Sequence, residues 1–387
     1  MPSVAPAFTV TPIEHGPESK VRMGVVVEGL QLNDLDDWSA DAWDAVKNLV
    51  FEHKIVVFKK QGKLEPEKQL HLMKRYAGAQ AIGMHSKDPH RFALRSGASV
   101  TIPDVPECQV VGYGRVPAGH YGLDGREIFQ RTSKHLYRTP LTAEEEEAGI
   151  VRLVQLHYDS ALYEVEPPEV GSLFCVKAPQ GEGEKLTLRF DNGNEGTKTI
   201  APGSTIYFDM SQAYELLSEE ERRVVDNSRV AYAPRAFTWM STTRFTEDGA
   251  SIYSEGREMS LEDVPEWEED KCKTYPMVWI NPLNGQKSLQ IHGQAAWKLY
   301  LRDGPEGEER VVEDLAEVRS FIHGLHRRFL KPEYAFAAEY EEGDALIWYN
   351  MGLMHSATEY PTRMGDRVMH QINVTHTGGP ERQTLPE

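Results

Sequence analysis

The segment VQLHYDSALYE, residues 154–164, sets a histidine and an aspartate two positions apart. On an extended backbone side chains alternate between faces, so His157 and Asp159 project to one side and Tyr158 to the other. An imidazole and a carboxylate on one face are two ligands for one ion. A chain with 14 His and 60 acidic residues produces such pairs by chance, so the reading needs a third ligand from elsewhere. His355, in NMGLMHSA, follows the apolar run ALIWYN and a short turn, from which a strand end can aim it inward. Two imidazoles and one carboxylate leave coordination positions open, which suits Fe(II) and oxygen chemistry. Zinc hydrolases use the same donors, so donor type alone leaves the metal open.

About a dozen residues beyond His355 comes Arg367, on the next apolar run. Met369, Gln371 and Asn373 share its face if that run is a strand. The rigid fork of a guanidinium suits a bidentate carboxylate. Two neighbouring amides offer paired donors and acceptors to a polar ring, or else satisfy buried backbone groups. Arg363 competes for the same role, but YPTRMGD reads as a turn that leaves it in solvent. His323 and His326 are spaced for one helix face beside Arg327 and Arg328, and are expected on the helix surface.

These residues need strands to aim them. FTVTPI, RMGVVVEGLQL, KIVVFKK, VGSLFCVKAP, GSTIYFDM, ALIWYN and DRVMHQINVTH read as strands from their β-branched and aromatic content. GIVRLVQLHYDSALYE reads as extended. Ser39 caps a helix whose apolar face carries Trp43, Val46, Leu49 and Val50. EPEKQLHLMKRYAG and VVEDLAEVRSFIHGLHRRFL read as further helices, and Trp348 as core. Thr142 with Glu145, and Ser218 with Glu221, make capping boxes. An α/β opening followed by many separated strands fits a double-stranded β-helix, a cupin-like jelly roll, with flanking helices. Residues 240–335 read as a large helical and loop insertion between core strands. No G-x-G-x-x-G or Walker sequence follows a strand, so nucleotide-binding folds gain no support.

Composition is that of a globular protein: 387 residues, 40% hydrophobic and 26% charged. A net charge of −18 argues against a nucleic-acid partner. No run of 18 apolar residues is present, so no membrane span is expected. The start, MPSVAPAFTVTPIEHGPESK, lacks a basic segment before an apolar core and does not read as a secretory signal. Cys108, Cys175 and Cys272 are widely spaced and build no disulfide framework, which fits a reducing, cytoplasmic setting. A small-molecule substrate is the partner expected, and a homo-oligomer is left open.

The order His-x-Asp, long gap, His, then Arg resembles the TauD/TfdA family of Fe(II)/2-oxoglutarate-dependent dioxygenases. MGVVVEGLQLNDL with HKIVVFKKQGKLEPEKQLHLMKRYAG is similar to that family's opening, LIWYNMGLMHSA to its second-histidine strand, and RVMHQ to its arginine strand. The resemblance covers most of the chain and implies one dioxygenase domain over 1–387. It implies that His157, Asp159 and His355 bind Fe(II), with 2-oxoglutarate and O2 as cosubstrates. It implies that Arg367 binds the far carboxylate of 2-oxoglutarate. Thr187, in KLTLRFDNG, falls where the family places a threonine on that carboxylate, in a loop longer than usual.

A narrower similarity is to the fungal xanthine hydroxylases of this family, carried by HYDSALYEVEPPEV, DMSQAYELLS, YSEGREMSLEDVPEWEEDKCKTYPMVWINPLNG and the final R-x-x-x-Q-x-N. It implies that Gln371, Asn373, Gln109 in CQVVGYG and Lys134 in SKHLYRTP hold a purine. Xanthine would then become urate, with release of succinate and CO2. The chain departs from that branch at QLHYDS, where a Trp-containing stretch is usual, and at Ile372, where Cys is usual. Two alternatives stand beside this reading. One is the same chemistry on another small molecule of secondary metabolism; the other is a jelly-roll binding protein without reactive iron.

Overall fold

In a computed structural model that describes residues 8–78, 100–129, 135–179, 183–191, 196–375 and 380, the β-branched runs are strands and the capped segments are helices. β1 (Thr9–Pro12) and β2 (Val25–Glu28) form an antiparallel pair. Ser39 caps α1 (Ala40–His53), its hydroxyl accepting the Ala42 amide, with Asp41 in the first turn where the helix dipole favours it. Lys54 ends that helix at φ 62°, and the chain enters β3 (Ile55–Phe58). α2 (Pro66–Ala77) begins on a proline, whose missing N–H has no partner to lose in a first turn. β4 (Val100–Ile102), β5 (Val105–Arg115) and β6 (Glu127–Ile128) follow. The predicted Thr142–Glu145 capping box opens α3 (Ala143–Glu147).

β7 (Ile150–Val151), β8 (Val170–Lys177), β9 (Leu186–Phe190), β10 (Gly196–Ile200) and β11 (Thr205–Asp209) lead to the short α4 (Met210–Glu215). The second predicted capping box, Ser218 with Glu221, opens α5 (Glu219–Val225). The middle of the chain holds β12 (Arg229–Tyr232), α6 (Ala236–Trp239), β13 (Thr274–Pro276), β14 (Val278–Ile280), β15 (Lys287–Leu289), β16 (Ala296–Arg302), β17 (Glu309–Val312) and α7 (Leu315–His326). β18 (Phe336–Ala338), β19 (Ala345–Tyr349), β20 (Leu353–Ala357) and β21 (Arg367–Asn373) come after them.

The architecture is mixed α/β with several sheets. The largest runs β1-β2-β3-β19-β8-β21-β5-β4, with β6 on β5; a smaller one runs β18-β11-β20. The alternation of side chains gives the large sheet two different faces. Val56, Phe58, Ile347, Phe174, Val368 and Ile372 point to one side and join the cluster that includes Val46 and Val50 of α1 and Leu72 and Met73 of α2. Ile55, Leu346, Trp348, Leu173, Cys175 and Met369 point to the other. There they meet Tyr207, Leu353, Phe336 and Ala338 from the smaller sheet. The inward faces of the two sheets therefore share one apolar layer, and Trp348 is core as predicted. Gly171 makes this layer possible: a Cβ there would overlap the Trp348 ring and Asn373 Oδ1.

Two sequence readings need correction. Residues 150–164 are extended but form no continuous strand. After β7 only the isolated bridges Leu153–Thr358, His157–His355 and Tyr163–Cys272 remain. The amides of Val154, Leu156 and His157 go to Ala357, Gly249 and His355 respectively, and positive φ at Leu162 and Glu164 bends the chain away. His326 does not lie on a helix surface. It falls one turn after Ile322 on the apolar stripe of α7 and is fully buried, with its ring against Phe329. His323, one position off that stripe, pairs with Asp248 at 2.6 Å.

The middle segment is tied to the rest by polar contacts. The buried Lys54 ammonium, which also bonds Asp209 and Ser211 at 3.0 Å each, donates to Gln286 Oε1 of that segment at 3.2 Å, and Asn281 Nδ2 donates to the Phe51 carbonyl. The three cysteines are unpaired. No helix among the described residues is long and apolar enough to cross a membrane. Gly171→Ala is expected to lower stability by about 1–3 kcal/mol through overpacking. An unchanged midpoint in chemical denaturation would show that Trp348 and Asn373 are free to move aside.

Candidate metal centre

His157, Asp159 and His355 converge, with one ligand atom of each lying within 4.8 Å of the others. His157 and His355 are direct cross-strand partners. The His157 amide donates to the His355 carbonyl at 2.9 Å, and the His355 amide returns the bond at 2.7 Å. Residues opposite each other in an antiparallel bridge send their side chains to one face. The two rings accordingly lie 4.4 Å apart by their centroids. Each Nε2 is 3.7 Å from a different oxygen of Asp159, longer than a hydrogen bond.

The surroundings fix these ligands. His157 Nδ1 lies 2.8 Å from the Gln155 carbonyl, which favours the tautomer with the proton there and a lone pair on Nε2. Asn350, fully buried after β19, clamps Asp159 by its backbone: Oδ1 accepts the Asp159 amide and Nδ2 donates to the Asp159 and Pro168 carbonyls. Tyr207 stacks on the His355 ring and Trp348 meets its edge. Tyr158 points the other way, as alternation requires. Its hydroxyl donates to Tyr232, and its ring packs on Trp279.

The charge balance is unusual. Burial pushes the Asp159 carboxyl up to about 7, opposed by the nearby Asn373 amide. That amide makes no bond of good geometry, and Asp159 Oδ2 is buried without a hydrogen-bond partner. Burial, and then the neighbouring His157, hold the His355 imidazole well below its ordinary value. A buried carboxylate oxygen with no hydrogen-bond partner among the described residues is costly unless a cation sits there. The donor set fits a divalent metal. The His157 side chain is 28% exposed, against 8% for Asp159, so the site opens on the His157 side.

Arg367, opening β21, reaches the same interior. Its Nε donates to the Gly203 carbonyl at 2.9 Å, its Nη2 lies 3.4 Å from Thr205 Oγ1, and its guanidinium lies over the Tyr340 ring. Nη1 has no bond among the described residues. Gly203 has φ +74°, and a Cβ there would press on Arg367 Cδ. The threonine beside Arg367 is thus Thr205. Thr187 lies on β9 opposite Thr199, on the face turned away from buried Leu186, Leu188 and Phe190, and has no bond to Arg367. Gln371 and Gln109 are opposed in register across β21 and β5, and therefore share a face. Asn373 is fully buried beside Asp159. Lys134 lies outside the described residues. Arg363 is exposed and pairs with Glu184, as a turn residue should.

Sequence reasoning missed Asn350, Gly203 and Thr205. Asn350 carried one signal: a polar residue at the end of the apolar run ALIWYN.

Residues 10–373 match the family model described as "Taurine catabolism dioxygenase TauD, TfdA family". The chain is 33% identical over 375 residues to "Alpha-ketoglutarate-dependent dioxygenase bsc9" of Alternaria brassicicola, covering 94% of this chain and 93% of that one. It is 32% identical over 371 residues to "Alpha-ketoglutarate-dependent xanthine dioxygenase xan1" of Schizosaccharomyces pombe, covering 95% and 87%. Its fold is similar to the crystal structure of a taurine dioxygenase from Burkholderia xenovorans, with a TM-score of 0.53 and 16% identity over 96% of this chain and 92% of that one.

Metal uptake should follow the Asp159 proton. The folded value, about 7, is above the unfolded value of about 4, so the metal-free fold holds this proton below pH 7. The carboxyl's contribution to metal-free stability is complete below the unfolded value and is lost as pH rises through 7. Affinity for Co(II), read by calorimetry, is expected to rise from pH 5.5 to about 7 and then flatten. A flat profile would contradict the burial of this group.

Proposed function

Since this chain belongs to the TauD, TfdA family and is a 2-oxoglutarate-dependent dioxygenase, we propose that it hydroxylates xanthine to urate at an Fe(II) ion held by His157, Asp159 and His355. The observation that carries the metal assignment is the unpartnered Asp159 oxygen facing two imidazoles. The balanced reaction is xanthine plus 2-oxoglutarate plus O2 giving urate, succinate and CO2. We read the two facing sheets as the family's double-stranded β-helix in one domain, with residues 240–335 inserted into it.

Oxygen activation coupled to decarboxylation of the 2-oxo acid is the chemistry that iron supplies when bound there. The protein's own residues bind, orient and exclude water. His157 and His355 offer Nε2 lone pairs, and Asp159 offers the single negative charge. Arg367 takes the far carboxylate of 2-oxoglutarate as a fork, with Thr205 Oγ1 accepting from its Nη2. Trp348, Tyr207 and Leu353 wall the interior against water.

Support for xanthine comes from the opposed Gln371 and Gln109 amides. Such a pair can match the alternating N–H and C=O groups of an oxidised purine edge. A relative 32% identical over nearly the whole chain bears xanthine dioxygenase in its name. A second reading keeps the chemistry and changes the small molecule; the 33% identity to a dioxygenase whose name carries no substrate favours it.

Anaerobic addition of Fe(II) and 2-oxoglutarate is expected to give a weak visible charge-transfer band that is absent from His157→Ala. No band in the native protein would remove the iron assignment. With xanthine, urate should form only when O2 and 2-oxoglutarate are both present. Gln371→Ala should lower kcat/KM for xanthine about tenfold, the loss of a buried hydrogen bond. Full activity in that variant would take Gln371 out of the pocket.

A further inference from the structure

The surroundings of Arg367 hold more hydrogen-bonding capacity than an arginine and a threonine. Tyr340, two residues beyond β18, lies under the guanidinium at 5.4 Å. Its hydroxyl is closed off from solvent and makes no hydrogen bond of good geometry among the described residues, and the same is true of the Tyr207 hydroxyl. The two oxygens and Thr205 Oγ1 are near enough to alter one another's acidity, with Tyr340 placed to accept from Tyr207 and Thr205. Tyr207 in turn stacks on the His355 ring at 5.4 Å. A buried O–H with no acceptor costs about 1–3 kcal/mol. Phenylalanine at both positions would fill the same space without that cost.

An anion beside Arg367 removes the difficulty. A carboxylate has about four lone-pair sites, more than a guanidinium alone can use. If Tyr207 and Thr205 donate to the Tyr340 oxygen, the Tyr340 proton is left for the ligand. We propose that the Tyr340 hydroxyl donates a hydrogen bond to the far carboxylate of 2-oxoglutarate, and that Tyr207 is a positioning residue that donates to Tyr340. This rests on the reading of Arg367 given above and adds a second donor to it. It also links that carboxylate to the metal site: the ring that orients Tyr340 is the ring stacked on His355.

A purely structural role for Tyr340, as a platform for the Arg367 cation, predicts a different outcome, because phenylalanine keeps the ring. The test is anaerobic titration of the Fe(II)-loaded protein with 2-oxoglutarate and with 2-oxovalerate, which has the same chain length and no far carboxylate. Affinity is read from the charge-transfer band. Tyr340→Phe is expected to weaken 2-oxoglutarate about tenfold, as for loss of a hydrogen bond to a charged group, and to leave 2-oxovalerate within about twofold. Tyr207→Phe should give a smaller shift in the same direction. Wild-type affinity for 2-oxoglutarate in Tyr340→Phe, or equal weakening of both acids, overturns the inference. Arg367→Met is titrated alongside. If it weakens 2-oxoglutarate and Tyr340→Phe does not, only the Tyr340 inference fails. If it binds 2-oxoglutarate as the native protein does, the Arg367 reading fails and the inference with it.

Discussion

A buried carboxylate with one oxygen unpartnered among the described residues governs this interior. Asp159 is buried beside the two imidazoles, burial holds His355 well below its ordinary value, and only the Asn373 amide opposes the rise of the carboxyl. The donor set around it fits a divalent cation, which would relieve the cost of that burial. The surrounding contacts restrict movement of the three ligands: the Gln155 carbonyl sets the His157 tautomer, Asn350 clamps the Asp159 backbone, and Tyr207 and Trp348 hold the His355 ring. They come from the 150–164 stretch, from β11 and from β19 with the turn after it, so the site depends on the register of both sheets.

That distribution explains what the sequence made legible. The convergence of His157, Asp159 and His355 was readable from side-chain alternation on an extended backbone and from the order of the chain. The capping boxes at Thr142 and Ser218 were readable from their local spacing. Thr205 was not, because its place beside Arg367 arises only when β11 pairs with β20 and the two sheets face each other. Thr187 had the spacing expected of the role, but its strand belongs to a separate sheet with β7 and β10. His326 was misplaced because Arg327 and Arg328 beside it suggested a solvated face, whereas the stripe Val318, Ile322, Leu325 carries it into the core. The jog after Val151 was also hidden. It is made by amides choosing three different partners, none of them adjacent in sequence.

The departure around Tyr158 acquires a physical meaning. Tyr158 faces away from the metal ligands and joins Tyr232, Tyr275 and Trp279 in a buried aromatic group. The aromatic group belongs largely to the middle segment, so residue 158 is where that segment grips the ligand loop. Substitutions there act on the position of His157 and Asp159 rather than on a substrate.

The two-way backbone bridge between His157 and His355 has one more consequence. The residues it joins are nearly two hundred positions apart, so the bridge closes a very large loop, at an entropic cost. An ion that binds both side chains acts as a removable strut across that closure. It stabilises the closed chain in proportion to the logarithm of its free concentration.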